Sequence, residues 1–104
     1  MPTTTIDGHD IHVDDEGFLT EYGEWTEDLG KALAHQIGIE MSDDHWKAIH
    51  FLRGDYPAQG ETATLRRVST AGGIPTKQLF ALFPKKPAKK MAYIAGLPKP
   101  RGCV

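Results

Sequence analysis

The chain has 104 residues, 39% of them hydrophobic and 25% charged, with a formal net charge of −2, the composition of one ordinary globular domain with a modest core. No stretch approaches the ~20 apolar residues needed to cross a bilayer, and no basic region followed by an apolar one opens the chain. A single cysteine excludes an internal disulfide framework and a cysteine-based zinc site, so a cytoplasmic protein with no metal or other cofactor and no membrane partner is expected.

The small net charge conceals a division. All 14 acidic residues fall within residues 1–61, opposed there only by Lys31, Lys47 and Arg53, which leaves that part at −11. After Glu61 there is no acidic residue, and nine basic ones follow: Arg66, Arg67, Lys77, Lys85, Lys86, Lys89, Lys90, Lys99 and Arg101. Such polarity points to an acidic protein surface or a nucleic acid as partner, or to two halves that face each other.

Residues 3–13 read as a hairpin, with Asp7-Gly8 supplying the positive φ angles of a tight turn between β-branched runs. His9 and His12 lack a third ligand at useful spacing and are expected as surface residues. Phe18, Leu19, Tyr22 and Trp25 are apolar anchors ahead of a first helix over about 27–37, capped by Thr26, favoured by Glu27 and Asp28, and closed by Gly38. Ser42-Asp43-Asp44 opens a second helix whose buried side carries Trp46, Ile49, Leu52 and Tyr56, and Pro57 and Gly60 are expected to stop it. His45 and His50 lie five apart, on different faces, which argues against a shared metal.

Thr62 is expected to cap a short helix over Ala63–Ser69. Gly72-Gly73-Ile74-Pro75 is a turn, followed by a helix over Thr76–Phe83. Two short helices about a glycine turn, with Arg66, Arg67 and Lys77 nearby, have the outline of a helix-turn-helix unit, although Thr76, Lys77 and Gln78 are few groups with which to read bases. Pro87 suits the first position of a last helix running to about Ala95.

The final nine residues, Gly96, Leu97, Pro98, Lys99, Pro100, Arg101, Gly102, Cys103 and Val104, carry the lone cysteine. Two prolines and no hydrophobic run after Leu97 predict a stiff, extended, exposed arm released at Gly96 and reaching roughly 20 Å in polyproline II geometry. Thiolate is the reactive form of Cys103. Lys99 and Arg101 favour it or dock the arm on an acidic partner, and Gly102 leaves room for another backbone to approach.

Three stretches together carry a family resemblance: Leu82-Phe83-Pro84-Lys85-Lys86-Pro87-Ala88-Lys89-Lys90, then Ile94-Ala95-Gly96-Leu97-Pro98-Lys99-Pro100, then Cys103-Val104. They closely resemble the DsrC/TusE family of small sulfur-carrier proteins. Asp15-Glu16-Gly17-Phe18-Leu19, Trp25, Gly38-Ile39 and His45-Trp46 through Arg53 resemble its N-terminal half more loosely, and Arg66 looks like an arginine that members carry after the central loop, a possible supporting residue. The resemblance implies a mainly α fold: an orthogonal helical bundle with a small N-terminal β-hairpin, a helix-turn-helix-like element and a mobile C-terminal arm. The corresponding division is a domain over residues 1–95 and an arm over 96–104.

The resemblance also implies that Cys103 accepts sulfur as a persulfide from an upstream donor protein and passes it to an acceptor. In the TusE branch the relay feeds tRNA 2-thiouridine formation; in the DsrC branch the protein serves dissimilatory sulfite reductase, whose gamma subunit it has been called. The DsrC branch uses a second cysteine, and eleven residues before Cys103 this chain has Ala92, so no internal disulfide or trisulfide can form. A single-cysteine relay protein fits best. The competing readings are a helix-turn-helix DNA-binding regulator and a non-catalytic subunit that inserts its tail into sulfite reductase.

Overall fold

The computed structural model describes residues 3–6 and 8–100. Strand β1 (Thr3–Ile6) pairs antiparallel with β2 (His9–His12) in the register Thr3↔His12 to Ile6↔His9. That register leaves a two-residue turn in which Gly8 has φ +81° and Asp7 lies outside the described residues. Five helices follow, α1 (Glu27–Gln36), α2 (Asp43–Gln59), α3 (Leu65–Gly72), α4 (Thr76–Leu82) and α5 (Pro87–Ala95), with a short 3-10 turn at Tyr22–Glu24 ahead of them. The fold is therefore mainly α with a two-stranded N-terminal sheet. Among the described residues no helix is long and apolar enough to cross a membrane.

Two apolar clusters hold these elements. Ile11, Val13, Leu19, Leu29 and Leu33 seat the hairpin on α1. The larger cluster gathers Ile49 and Leu52 of α2, Val68 of α3, Leu79 of α4, and Met91 and Ile94 of α5, so α5 runs through the middle with α1 and α2 against it. Fully burying side chains of this size contributes about 1.5–3 kcal/mol each, which is why these positions organise the bundle.

Helix ends follow local chemistry, with two corrections. Thr26 Oγ1 accepts from Leu29 N–H at 3.1 Å, as expected of an N-cap. The third helix begins two residues later than expected, because Thr64 accepts from Arg67 N–H at 3.2 Å while Thr62 turns inward. The second helix does not stop at Pro57 but runs to Gln59, with Gly60 at φ +74° closing it. Pro57 has no N–H for the carbonyl of Arg53, four residues back; Tyr22 Oη–H donates to that oxygen instead, at 2.7 Å.

His45 ties the start of α2 to the end of α4. Its Nδ1 accepts from Ser42 N–H at 3.1 Å, so the proton sits on Nε2 and is donated to Leu82 C=O at 2.9 Å, with Phe83 edge-on to the ring. Asp55 joins α2 to α3 through a two-pronged pair with Arg67, at 2.7 and 2.8 Å.

Candidate functional site

The site is built at the C-terminal end of α5, where the chain end begins. A helix leaves its last four carbonyls without intrahelical partners, and here each of the four is filled. Gly96, at φ +69°, reverses the chain so that Leu97 N–H reaches Ala92 C=O at 3.0 Å and Gly96 N–H reaches Tyr93 C=O at 3.3 Å, a Schellman closure. Trp25 Nε1–H donates to Ile94 C=O at 2.8 Å. Arg53 Nη1–H donates to Ala95 C=O at 2.9 Å, placing a cation at the negative end of the helix dipole.

Arg53 and Trp25 are themselves held. The guanidinium lies 3.9 Å from the centre of the Tyr22 ring and 4.4 Å from that of Trp25, and its Nη2–H donates to Tyr22 C=O at 2.9 Å. Burial lowers the pKa of Arg53, partly opposed by Tyr22, yet an arginine stays charged at any physiological pH. The Trp25 indole fills a slot between two glycines. A Cβ on Gly30 would stand 2.9 Å from it, and one on Gly96 would stand 2.6 Å from it and 2.7 Å from Leu19.

The arm expected to leave the body at Gly96 instead stays docked as far as it is described. Leu97 is fully buried and belongs to the large core cluster, because the closure at Gly96 turns it back onto the helix rather than away from it. Pro98 C=O accepts from Thr62 Oγ1–H at 2.7 Å, the reason Thr62 is unavailable as a cap. Lys99 Nζ lies 3.4 Å from Glu16 Oε1 with both side chains largely exposed, a pair worth little by itself. Pro100 is buried. The remaining arm residues, Arg101, Gly102, Cys103 and Val104, lie outside the described residues. From Pro100 to Cys103 there are three steps, a span of at most about 10 Å, half of that counted from Gly96.

Arg66, offered as a supporting residue, is exposed, and among the described residues its guanidinium forms no hydrogen bond or ion pair; Arg67 beside it is the arginine used structurally, through Asp55. Ala92, at the place of the DsrC branch's second cysteine, is fully buried. The structure adds Arg53, Tyr22, Trp25 and Thr62 to the site. An arginine among apolar positions of a helix, four residues before a proline, was the available signal. His12 is tied to Glu24 at 2.7 Å, and the described residues contain no group of three or more metal-ligating side chains. An open groove of about 910 Å³, lined by His9, Lys31, His35, Glu40 and Met41 among others, includes none of the arm residues.

Fold and site together define a class of small helical protein whose last helix is firmly capped and is followed by a proline-punctuated stretch docked on the body. The chain belongs to the DsrC-like protein family, whose model matches residues 5–104. It is 37% identical over 106 aligned positions to the sulfurtransferase TusE of Salmonella paratyphi A, covering 95% of this chain and 97% of that one. It superposes on a chain of the crystal structure of dissimilatory sulfite reductase I with a TM-score of 0.83 and 36% identity, covering 99% and 100% of the two chains. For the NMR structure of Allochromatium vinosum DsrC the TM-score is 0.79 with 35% identity, covering 98% and 97%.

Proposed function

We propose that this protein is a sulfur-relay carrier that takes up sulfur as a persulfide on Cys103 and hands it to a partner protein. The observation that carries this reading is family membership over nearly the whole chain, with the family's Leu97-Pro98-Lys99-Pro100 stretch leading to the chain's single thiol. The same comparisons favour a carrier over the DNA-binding regulator.

Loading is an exchange with no net oxidation. The Cys103 thiolate attacks the outer sulfur of a donor persulfide; a new S–S bond forms at Cys103, the donor's S–S bond breaks, and the donor departs as a thiolate. Unloading repeats the step, as an acceptor thiolate attacks the terminal sulfur and Cys103 leaves as thiolate. With Ala92 in place of a second thiol, the chain cannot release sulfur by closing on itself, so every transfer needs an external acceptor. The donor is thus a persulfide-bearing protein, and the acceptor is a tRNA-thiolating enzyme or a sulfite reductase complex. The match to TusE over 95% of the chain and the single thiol support the former.

The test is Cys103→Ser incubated with a persulfide donor. Intact mass is expected to show the native chain gaining one sulfur atom and the variant none, with unchanged circular dichroism. A sulfur gained by the variant would overturn the assignment.

A further inference from the structure

Helices α1 and α2 obey the helix dipole, with Glu27 and Asp28, and Asp43 and Asp44, in their first turns. The region after Glu61 does not. The first turn of α5 has no acidic residue and follows Lys86 with Lys89 and Lys90, cations at the positive end of a dipole, where they are unfavourable.

The turn before α5 is strained as well. Lys86 N–H reaches back to Pro84 C=O at 3.1 Å, and Lys85 between them has φ +75°, alone among the described non-glycine residues in the left-handed region. This is the rare, strained hand of γ-turn, and the lysine at its tip gains no burial from it, since Lys85 and Lys86 are exposed. On α4, immediately upstream, Lys77, Phe80 and Ala81 stand at i, i+3 and i+4, one exposed face. Phe80 is 47% exposed, whereas Phe18 and Phe83 are buried.

Unfavourable charge, backbone strain and an uncovered ring therefore fall together within residues 77–90, a concentration that points to a functional rather than a stabilising role. We propose that Lys77, Phe80, Lys85, Lys86 and Lys89 form a docking surface for an acidic segment of a partner protein, with Phe80 as its apolar anchor and the lysines facing carboxylates. A protein segment fits better than a nucleic acid. Residues 77–90 contain lysines but no arginine fork for phosphates, and a long polyanion on a molecule measuring 34 × 28 × 23 Å would pass the −11 charge of residues 1–61. The inference deepens the carrier reading by naming the partner's chemistry; its test reads binding alone, so failure here leaves sulfur loading at Cys103 untouched.

The full chain, labelled with ¹⁵N, is titrated at low salt with an acetylated peptide of alternating Asp and Glu, and separately with single-stranded RNA of equal length. Amide shifts are expected to cluster over residues 77–90 with the peptide. Lys85→Glu with Lys86→Glu is expected to weaken binding about tenfold, while Lys31→Glu with Lys47→Glu, the same change in net charge placed elsewhere, is expected to weaken it less than about threefold. Lys85→Gly, which relieves the turn, is expected to weaken binding without lowering the melting temperature. Tighter binding of the RNA, equal effects of the two charge reversals, shifts confined to other surfaces, or the same shifts on concentrating the protein alone would each overturn the proposal, the last in favour of a second copy of the chain.

Discussion

Gly96→Ala probes the root of the chain end directly. Two costs are added by one methyl group. An alanine at φ +69° occupies the left-handed region, at about 1–2 kcal/mol. Its Cβ would also stand 2.6 Å from the Trp25 ring and 2.7 Å from Leu19, inside any real contact distance, and forcing such neighbours aside costs a further 1–3 kcal/mol or so. The total, about 2–5 kcal/mol, is a large share of the roughly 5–15 kcal/mol typical of a domain. Gly38→Ala is the matched control. Gly38 closes α1 in the same way, with Ile39 N–H on Ala34 C=O at 2.9 Å and φ +75°, but a Cβ there meets nothing within 4 Å. Urea denaturation followed by circular dichroism should place Gly38→Ala about 1–2 kcal/mol below the native protein and Gly96→Ala about 1–3 kcal/mol lower still. Equal losses for the two variants would refute the packing of Trp25 against the helix end.

Other outcomes follow from the same contacts. Tyr22→Phe should cost about 0.5–1.5 kcal/mol by removing the donor to Arg53 C=O, and the cost should nearly vanish in a Pro57→Ala background, where residue 57 regains an N–H; a double-mutant cycle with no coupling would disprove the substitution of one donor for the other. Asp55 is held below its ordinary 3.8 chiefly by hydrogen bonds from Arg67, and Glu24 below 4.5 chiefly by the backbone N–H and ring of His12. Both bind protons more weakly when folded, so their stabilisation is complete above those ordinary values and is lost as pH falls through the lower folded ones. The drop in the urea midpoint between pH 6 and pH 3 should accordingly be smaller in Asp55→Asn than in the native chain. At the alkaline end burial raises the pKa of Tyr93, so its contribution is intact below the ordinary tyrosine value near 10 and declines above it; Tyr93→Phe should flatten that decline in an alkaline titration of the urea midpoint.

What could be read in advance depended on how far each residue's partner lay along the chain. Thr26, Gly38 and Pro87 act on their own helices, and α1 and α5 were accordingly legible almost to the residue. Thr62 and Thr64 were interchangeable as caps until Thr62 was required by Pro98, 36 residues later. Pro57 is a helix breaker by every local rule, and the hydroxyl of Tyr22, 31 residues before Arg53 whose carbonyl it satisfies, removes the reason to break. Leu97 followed by Pro98 reads as a departing strand of chain; the closure at Gly96 converts it into a core residue, and the pair Gly96-Leu97 after an apolar helix is the local sign of it. Arg66 and Arg67 are neighbours of equal chemistry, and the side of α3 that faces Asp55 decides between them. Arg53 needed three separated partners, Tyr22, Trp25 and Ala95, to become recognisable as the residue holding the chain end.

The slot beside Gly96 gives this protein a built-in optical probe. Its occupant, Trp25, is one of only two tryptophans, and the other, Trp46, sits edge-on to it at 6.5 Å, so native ultraviolet emission originates almost wholly from one corner of the fold. Unseating the stretch from Gly96 to Pro100 would admit water to the indole and redden the spectrum. Any partner that pulls that stretch away can thus be followed without an added label.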